Sequence, residues 1–170
     1  VIIGHNTDIA GFELAIRHSK YDLKGKNIFI LGAGGVVSSL IVAIKKLDAS
    51  KIIVSNRTKK KADNLKFFFK DIDIVNWREI PDFDMIINAT SIGLKNEDGI
   101  KFNYSAVKSN KFFYDLIYNP KETIFLKKAK QFGNRTENGK MMFIYQAHQA
   151  FTLWHKVMPI IDDETINLLN

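Results

Sequence analysis

There is no cysteine in the 170 residues, so neither a disulfide framework nor a thiolate metal site can form. A reducing, cytoplasmic setting is expected on that ground. The four histidines, His5, His18, His148 and His155, show none of the spacings that hold zinc, and no metal is expected. No apolar run approaches the ~18 residues of a membrane span, and no secretory signal pattern is present. Low-complexity segments and internal repeats beyond a βα alternation are also lacking. The formal charge of +7 fits nucleic acid, an anionic small ligand, or plain lysine-rich usage. The lysines are scattered, with one run at Lys59-Lys60-Lys61, and no RNA-binding aromatic motif or zinc finger accompanies them. A solvated basic surface is the reading they favour, with no nucleic-acid or membrane partner. The chain starts at Val1, without an initiator methionine, and runs straight into a polar motif; it is expected to be part of a longer protein.

What the chain does contain is organised around Asn27 to Leu47. Asn27 to Leu31 is a β-prone apolar run. Gly32-Ala33-Gly34-Gly35 follows, and then Val37, Leu40, Ile41 and Ile44 recur at helical spacing. Strand, glycine turn and helix form the opening unit of a dinucleotide-binding fold. Gly32 permits a tight turn, and Gly34 lets backbone approach a pyrophosphate. The helix start aims unpaired N–H groups at that anion. Val37 stands where the usual pattern has its third glycine, which pushes strand and helix slightly apart. The loop alone also fits a glycine-rich turn in another α/β protein.

One further absence bears on the ligand. Lys51 to Ser55 reads as a second strand, parallel to the first through a right-handed crossover. NAD sites place an acid there, about 20 positions after the glycines, on the ribose 2′-hydroxyl. Here the place holds Asn56, Arg57 and Thr58. A carboxylate would repel a 2′-phosphate, whereas a guanidinium grips it through charge-assisted hydrogen bonds. NADP is therefore expected. Thr58 is also a natural cap for the next helix, whose buried face is Ala62, Leu65 and Phe69.

Along the rest of the chain, Val1 to Asp8 reads as a short strand or linker. Asp8 or Thr7 caps a helix bearing Ile9, Phe12 and Ile16; Asp8 equally suits a carboxylate at a cleft edge. Ile72–Val75 and Met85–Ala89 are strands three and four, the latter ending in the polar run Asn88 to Ser91, closed by Gly93. Phe112–Tyr118 is a fifth. A helix spans Glu122 to Phe132 and stops at Gly133, and Arg135 to Gly139 is a short strand and turn. A long helix covers Lys140 to Lys156, with Phe143, Ala147, Ala150, Phe151 and Trp154 expected on its buried side. Met142, Gln146 and Gln149 form a neighbouring stripe, in which Gln146 is placed to face a ligand. Asp162 or Asp163 starts a last helix through Ile166 and Leu169. The fold class expected is α/β, a Rossmann-like doubly wound, mainly parallel sheet with helices on both faces. Residues 1–20 would form a hinge or linker with the Asn-Thr-Asp motif, 21–156 the NADP-binding domain, and 157–170 a C-terminal helix packing back on it.

Six motifs in this order, GHNTDIAGF, LKGKNIFILGAGGVVSSL, SNRTKKKA, NATSIG, YDLIYNPKETIFLKKAK and NGKMMFIYQAHQAF, resemble shikimate dehydrogenases. The resemblance spans nearly the whole chain but only the C-terminal part of such an enzyme, since the family carries an N-terminal substrate domain ahead of Asn-Thr-Asp. It implies reversible hydride transfer between NADPH and 3-dehydroshikimate to give shikimate. It makes Asp8 one of a catalytic pair whose lysine lies in the upstream domain. Thr7 and Gln146 would touch substrate hydroxyls, and Tyr118 would line the substrate pocket. Gly32, Ala33, Gly34, Gly35 and Val36 would hold the pyrophosphate, and Asn56, Arg57 and Thr58 the 2′-phosphate. Thr90, Leu116, Gly139 and Met142 would meet the nicotinamide. On this reading the chain alone binds cofactor and turns over little or no substrate. His5 departs from the family's usual Tyr or Phe, and His155-Lys156 from a common glycine. Relatives acting on quinate share the domain, so substrate preference stays open. The rival readings are glutamyl-tRNA reductase, which needs an upstream catalytic cysteine and lacks Tyr-Gln-Ala, and a non-catalytic NADP-binding module.

Overall fold

The computed structural model describes residues 2–95 and 98–168. Six strands form one sheet: β1 (Asn27–Leu31), β2 (Lys51–Ser55), β3 (Asp73–Val75), β4 (Met85–Asn88), β5 (Phe112–Asp115) and β6 (Arg135–Glu137). Their order is β3-β2-β1-β4-β5-β6, and every pairing is parallel. The doubly wound expectation holds, and the sheet is parallel throughout. All residues of β4 and β5 are buried, as are all but the first of β1 and of β2. Strands covered on both faces need continuous apolar runs rather than alternation, which is what NIFIL and MIIN supply.

The helices are α1 (Thr7–His18), α2 (Gly35–Lys46), α3 (Lys59–Phe68), α4 (Ile124–Gln131), α5 (Lys140–His155) and α6 (Asp163–Asn167). One core layer joins Phe12 and Ile16 of α1, Val37, Leu40, Ile41 and Ile44 of α2, Ala62 and Leu65 of α3, and Met141, Met142 and Ile144 of α5 to one face of the sheet. The opposite face, through Phe29, Ile86 and Phe113, is covered by Phe125 and Ala129 of α4 and by Ile100 and Tyr104 of the β4–β5 connection.

Register sets up the functional rim. Leu31 pairs with Ser55 on one side and Asn88 on the other, Asn88 pairs with Asp115, and Ser55 with Val75. The carboxyl ends of five strands therefore lie in one row. The strand order reverses between β1 and β4, which opens a crevice above that row.

Of the strand or linker expected at the start, residues 2–6 are the linker. Several expectations need correction. Asn6, not Thr7 or Asp8, caps α1, its side-chain oxygen accepting from the N–H groups of Asp8 and Ile9 at 3.1 and 3.3 Å. Thr58 stands at the N-cap of α3, but its side chain makes no capping hydrogen bond. The fifth strand ends at Asp115, because the Ile117 N–H turns back onto the Asp115 carboxylate. The long helix packs with the opposite side inward from that expected: Phe143, Ala147, Phe151 and Trp154 are exposed, Trp154 at 78%, and Ala150 is half-buried. The helix carries apolar residues on two sides. Met141, Met142 and Ile144 face the core, leaving the aromatic stripe outward, partly overlain by Pro159, Ile160 and Ile161. Asp162 caps α6 as expected, accepting from the Thr165 N–H at 2.8 Å; Val1 and Leu169 lie outside the described residues.

Candidate functional site

Five loops leave the strand row and enclose two adjoining clefts. The first, of about 280 Å³, is lined by Gly32, Ala33 and Gly34 after β1, by Asn56, Arg57, Thr58 and Lys61 after β2, by Trp77 after β3, and by Ala89 to Ile92 after β4. The second, about 420 Å³, is lined by Val36, Ala89, Thr90, Leu94 and the run Leu116 to Asn119. Ala89 and Thr90 belong to both, so the two form one trough across the switch point.

The glycines divide into two kinds. Gly32 has φ of +118°, and a Cβ there would stand 2.6 Å from the Ala89 carbonyl oxygen. The fold itself demands that glycine. Gly34 has an extended φ of −82°, and a Cβ on Gly34 or Gly35 would meet nothing within 4 Å. Among the described residues nothing crowds a side chain there. A ligand pressed against the backbone at the start of α2 would, and α2 begins without a side-chain cap. The loop therefore fits a pyrophosphate.

At the β2 end of the trough the groups are cationic or neutral. Asn56 donates from Nδ2 to the Thr58 carbonyl at 2.8 Å, which holds the turn presenting Arg57. Arg57 is exposed. Among the described residues, no carboxylate lines this cleft.

The floor is a buried polar network. Asn88 and Asp115 are both fully buried. Asn88 Nδ2 donates to Asp115 Oδ1 at 2.9 Å and to the Ile92 carbonyl at 3.1 Å. With its amide oriented so, Asn88 Oδ1 accepts from the Thr90 N–H at 3.0 Å and the Thr90 hydroxyl at 2.7 Å. The Thr90 hydroxyl also accepts from the Ile92 N–H at 3.1 Å. It is thus engaged internally, and its methyl group points towards Gly32. Asp115 further accepts from the Ile117 N–H at 3.1 Å and from the Thr123 hydroxyl at 2.6 Å. Burial pushes the Asp115 carboxyl up to about 6, against the pull of its donors Thr123, Ile117 and Asn88. Two cleft walls, 89–92 and 116–119, are so tied to one carboxylate.

Of the other expected residues only Tyr118 lines the trough; Thr7, Asp8, Gln146, Gly139 and Met142 line neither cleft. Thr7 and Gln146, 139 positions apart, meet at 3.4 Å where α1 packs on α5. Asp8 lies half-buried in the first turn of α1, and Asn6 ties that turn to Ser39 of α2 at 2.9 Å. Tyr118 lines the second cleft and stacks on Phe143, ring centroids 4.7 Å apart. Gly139 lies directly behind Leu116, and Met142 is buried in the core. Four participants escaped the sequence reading. Asp115 was signalled by standing as the lone charge in an apolar strand. Thr123 gave no signal beyond helix capping. Lys61, in the first turn of α3, and Trp77, in the loop after β3, reach the cleft only through the way these segments fold beside the strand ends. Among the described residues no group of three or more His, Asp or Glu could hold a metal, and no helix is long and apolar enough to cross a membrane.

A 3-2-1-4-5-6 parallel sheet with an uncapped glycine loop at its switch point defines a Rossmann-type dinucleotide-binding domain. Residues 13–117 match the family model for shikimate / quinate 5-dehydrogenase, and the chain belongs to that family. It is 60% identical to the shikimate dehydrogenase (NADP(+)) of Pelagibacter ubique, over 99% of this chain and 64% of that protein. The crystal structure of shikimate dehydrogenase from Aquifex aeolicus superposes with a TM-score of 0.86 at 37% identity, over 98% of this chain and 61% of that one. The shikimate 5-dehydrogenase of Thermus thermophilus, crystallised with NADP(H) and shikimate, gives 0.85 at 28% identity, over 98% and 62%. The chain thus spans less than two thirds of each relative's length.

Proposed function

We infer that this chain is the cofactor-holding part of an NADP-dependent shikimate dehydrogenase, which interconverts 3-dehydroshikimate and shikimate in a cytoplasmic setting. The observation that carries this is the trough: a pyrophosphate cradle continuous with a cationic, carboxylate-free pocket at the end of β2. The names of the Pelagibacter and Thermus relatives agree with it.

The cofactor supplies the hydride when bound. The chain's own residues do the rest. Gly32 to Val36 seat the pyrophosphate, with the α2 amides turned to its charge. Asn56, Arg57 and Thr58 take the 2′-phosphate. Thr90, Leu116, Gly139 and Met142 would hold the nicotinamide end, with Gly139 set directly behind the Leu116 backbone. Thr7, Gln146 and Tyr118 orient the substrate. Asp8 works with a lysine of a domain outside this chain, and the pair moves one proton at the substrate oxygen. Exposed apolar residues at the end of α5 and just beyond it support such a domain packing there: Phe151, Trp154, Val157, Met158 and Ile160 leave a broad apolar surface.

The test is shikimate- and quinate-dependent reduction of NADP⁺ by two proteins, the 170-residue chain and the same chain extended by its upstream coding sequence. The chain alone should be nearly inactive and the extended protein active on shikimate. Full activity from the chain alone would overturn the two-part catalytic pair.

A further inference from the structure

Trp77 is unused by the assignments above, yet it lines the cleft of Arg57, Thr58 and Lys61, together with Ser91 and Ile92. The turn that carries it is held at the neighbouring Asn76. Ser55, buried at the tip of β2, donates its hydroxyl to the Asn76 carbonyl at 2.9 Å. Asn76 donates from its backbone N–H and its Nδ2 to Glu79 Oε2, at 3.2 and 3.3 Å. Ser55 immediately precedes Asn56 and Arg57, so the same hydrogen bond ties the Trp77 loop to the turn that carries the cation. The indole packs, with Val75 and Ile80, on the core layer of Phe29, Ile86 and Phe113 and stays only half-buried. A large aromatic surface thus rests against core, with its remaining area opening into a cleft that also holds an arginine and a lysine.

A purine bearing a nearby phosphate suits that combination. Every nucleobase has a face that stacks on an aromatic ring, and the neighbouring cations take the phosphate. We propose that Trp77 is the platform on which the adenine ring of the cofactor stacks. This rests on the NADP reading above and assigns a residue to the adenine end, where that reading names none.

The experiment titrates the chain with NADPH and with adenosine 2′,5′-bisphosphate by calorimetry. Trp77→Ala should weaken both about tenfold, a factor typical of one lost base stack. Trp77→Phe, which keeps an aromatic face, should stay within about threefold of the unsubstituted chain. Unchanged affinity in Trp77→Ala, or Trp77→Phe as weak as Trp77→Ala, would overturn the proposal. A second measurement leaves Trp77 intact. The chain's other tryptophan, Trp154, is exposed on α5, so Trp154→Phe makes Trp77 the sole indole emitter. Adenosine 2′,5′-bisphosphate should then quench its emission saturably, along the calorimetric binding curve. Binding with no change in emission would overturn the stack while leaving the NADP reading standing. Failure of the unsubstituted chain to bind either nucleotide would overturn both.

Discussion

Gly139 and Leu116 touch backbone to backbone: a Cβ on Gly139 would stand 2.0 Å from the Leu116 carbonyl oxygen. The contact fixes the start of α5 behind the cleft wall, and the Gly139 N–H donates to the Ile117 carbonyl at 3.2 Å. Neither backbone can yield without moving the helix or the wall. Gly139→Ala should therefore cost about 2–4 kcal/mol in denaturant unfolding, as overpacking in a rigid site does.

Gly34→Ala should behave in the opposite way. Its Cβ enters open space at an ordinary φ, so stability should fall by at most about 1 kcal/mol, the difference between Gly and Ala at an N-cap. NADPH binding should weaken about tenfold or more, because the methyl occupies the approach of the pyrophosphate. Unfolding and binding measured on both variants separate a glycine kept for the fold from one kept for a ligand.

Asp115 makes stability depend on pH in a defined direction. Its folded-state pKa of about 6 lies above its ordinary 3.8, so the folded chain holds that proton more tightly than the unfolded chain does. Ionising it costs stability as pH rises from about 4 to about 6, and the full cost approaches about 3 kcal/mol. Asp115→Asn cannot titrate. Whatever its stability at pH 4, it should gain on the unsubstituted chain by up to that amount by pH 7. A stability difference that stays flat across this range would contradict the assignment.

The two sides of α5 should respond differently to truncation. Met142 is 7% exposed and sits in the core; Met142→Ala should cost about 2–5 kcal/mol. Trp154 is 78% exposed, and Trp154→Ser should change stability of the 170-residue chain by less than about 0.5 kcal/mol. Phe151, 43% exposed and packed on His155, should fall between the two, with Phe151→Ser costing about 1 kcal/mol. Chemical unfolding of the three variants checks this.

The sheet was legible because its strands are buried on both faces and read as unbroken apolar runs, such as Ile28–Leu31 and Met85–Ile87. Each is punctuated by the glycine or polar loop that follows. The glycine loop and the basic turn at Arg57 were legible because their chemistry is local. α5 was misread because it is apolar on two sides, and periodicity cannot say which of two stripes meets the sheet. The Asn88–Asp115–Thr123 network joins β4, β5 and the cap of α4, and Trp77 reaches the cleft through a loop pinned by Ser55. Such relations exist only once register has placed the strands side by side. The cap of α1 went to Asn6 for a smaller reason: Asn, Thr and Asp are adjacent and all competent to cap.

The most direct test of the account is a calorimetric titration of the 170-residue chain with NADPH and with NADH, repeated on Arg57→Asp. NADPH should bind at least about tenfold more tightly than NADH, the advantage of a guanidinium on the 2′-phosphate, and Arg57→Asp should erase that preference. Equal affinity for the two dinucleotides in the unsubstituted chain would contradict the assignment of the β2 turn to the 2′-phosphate.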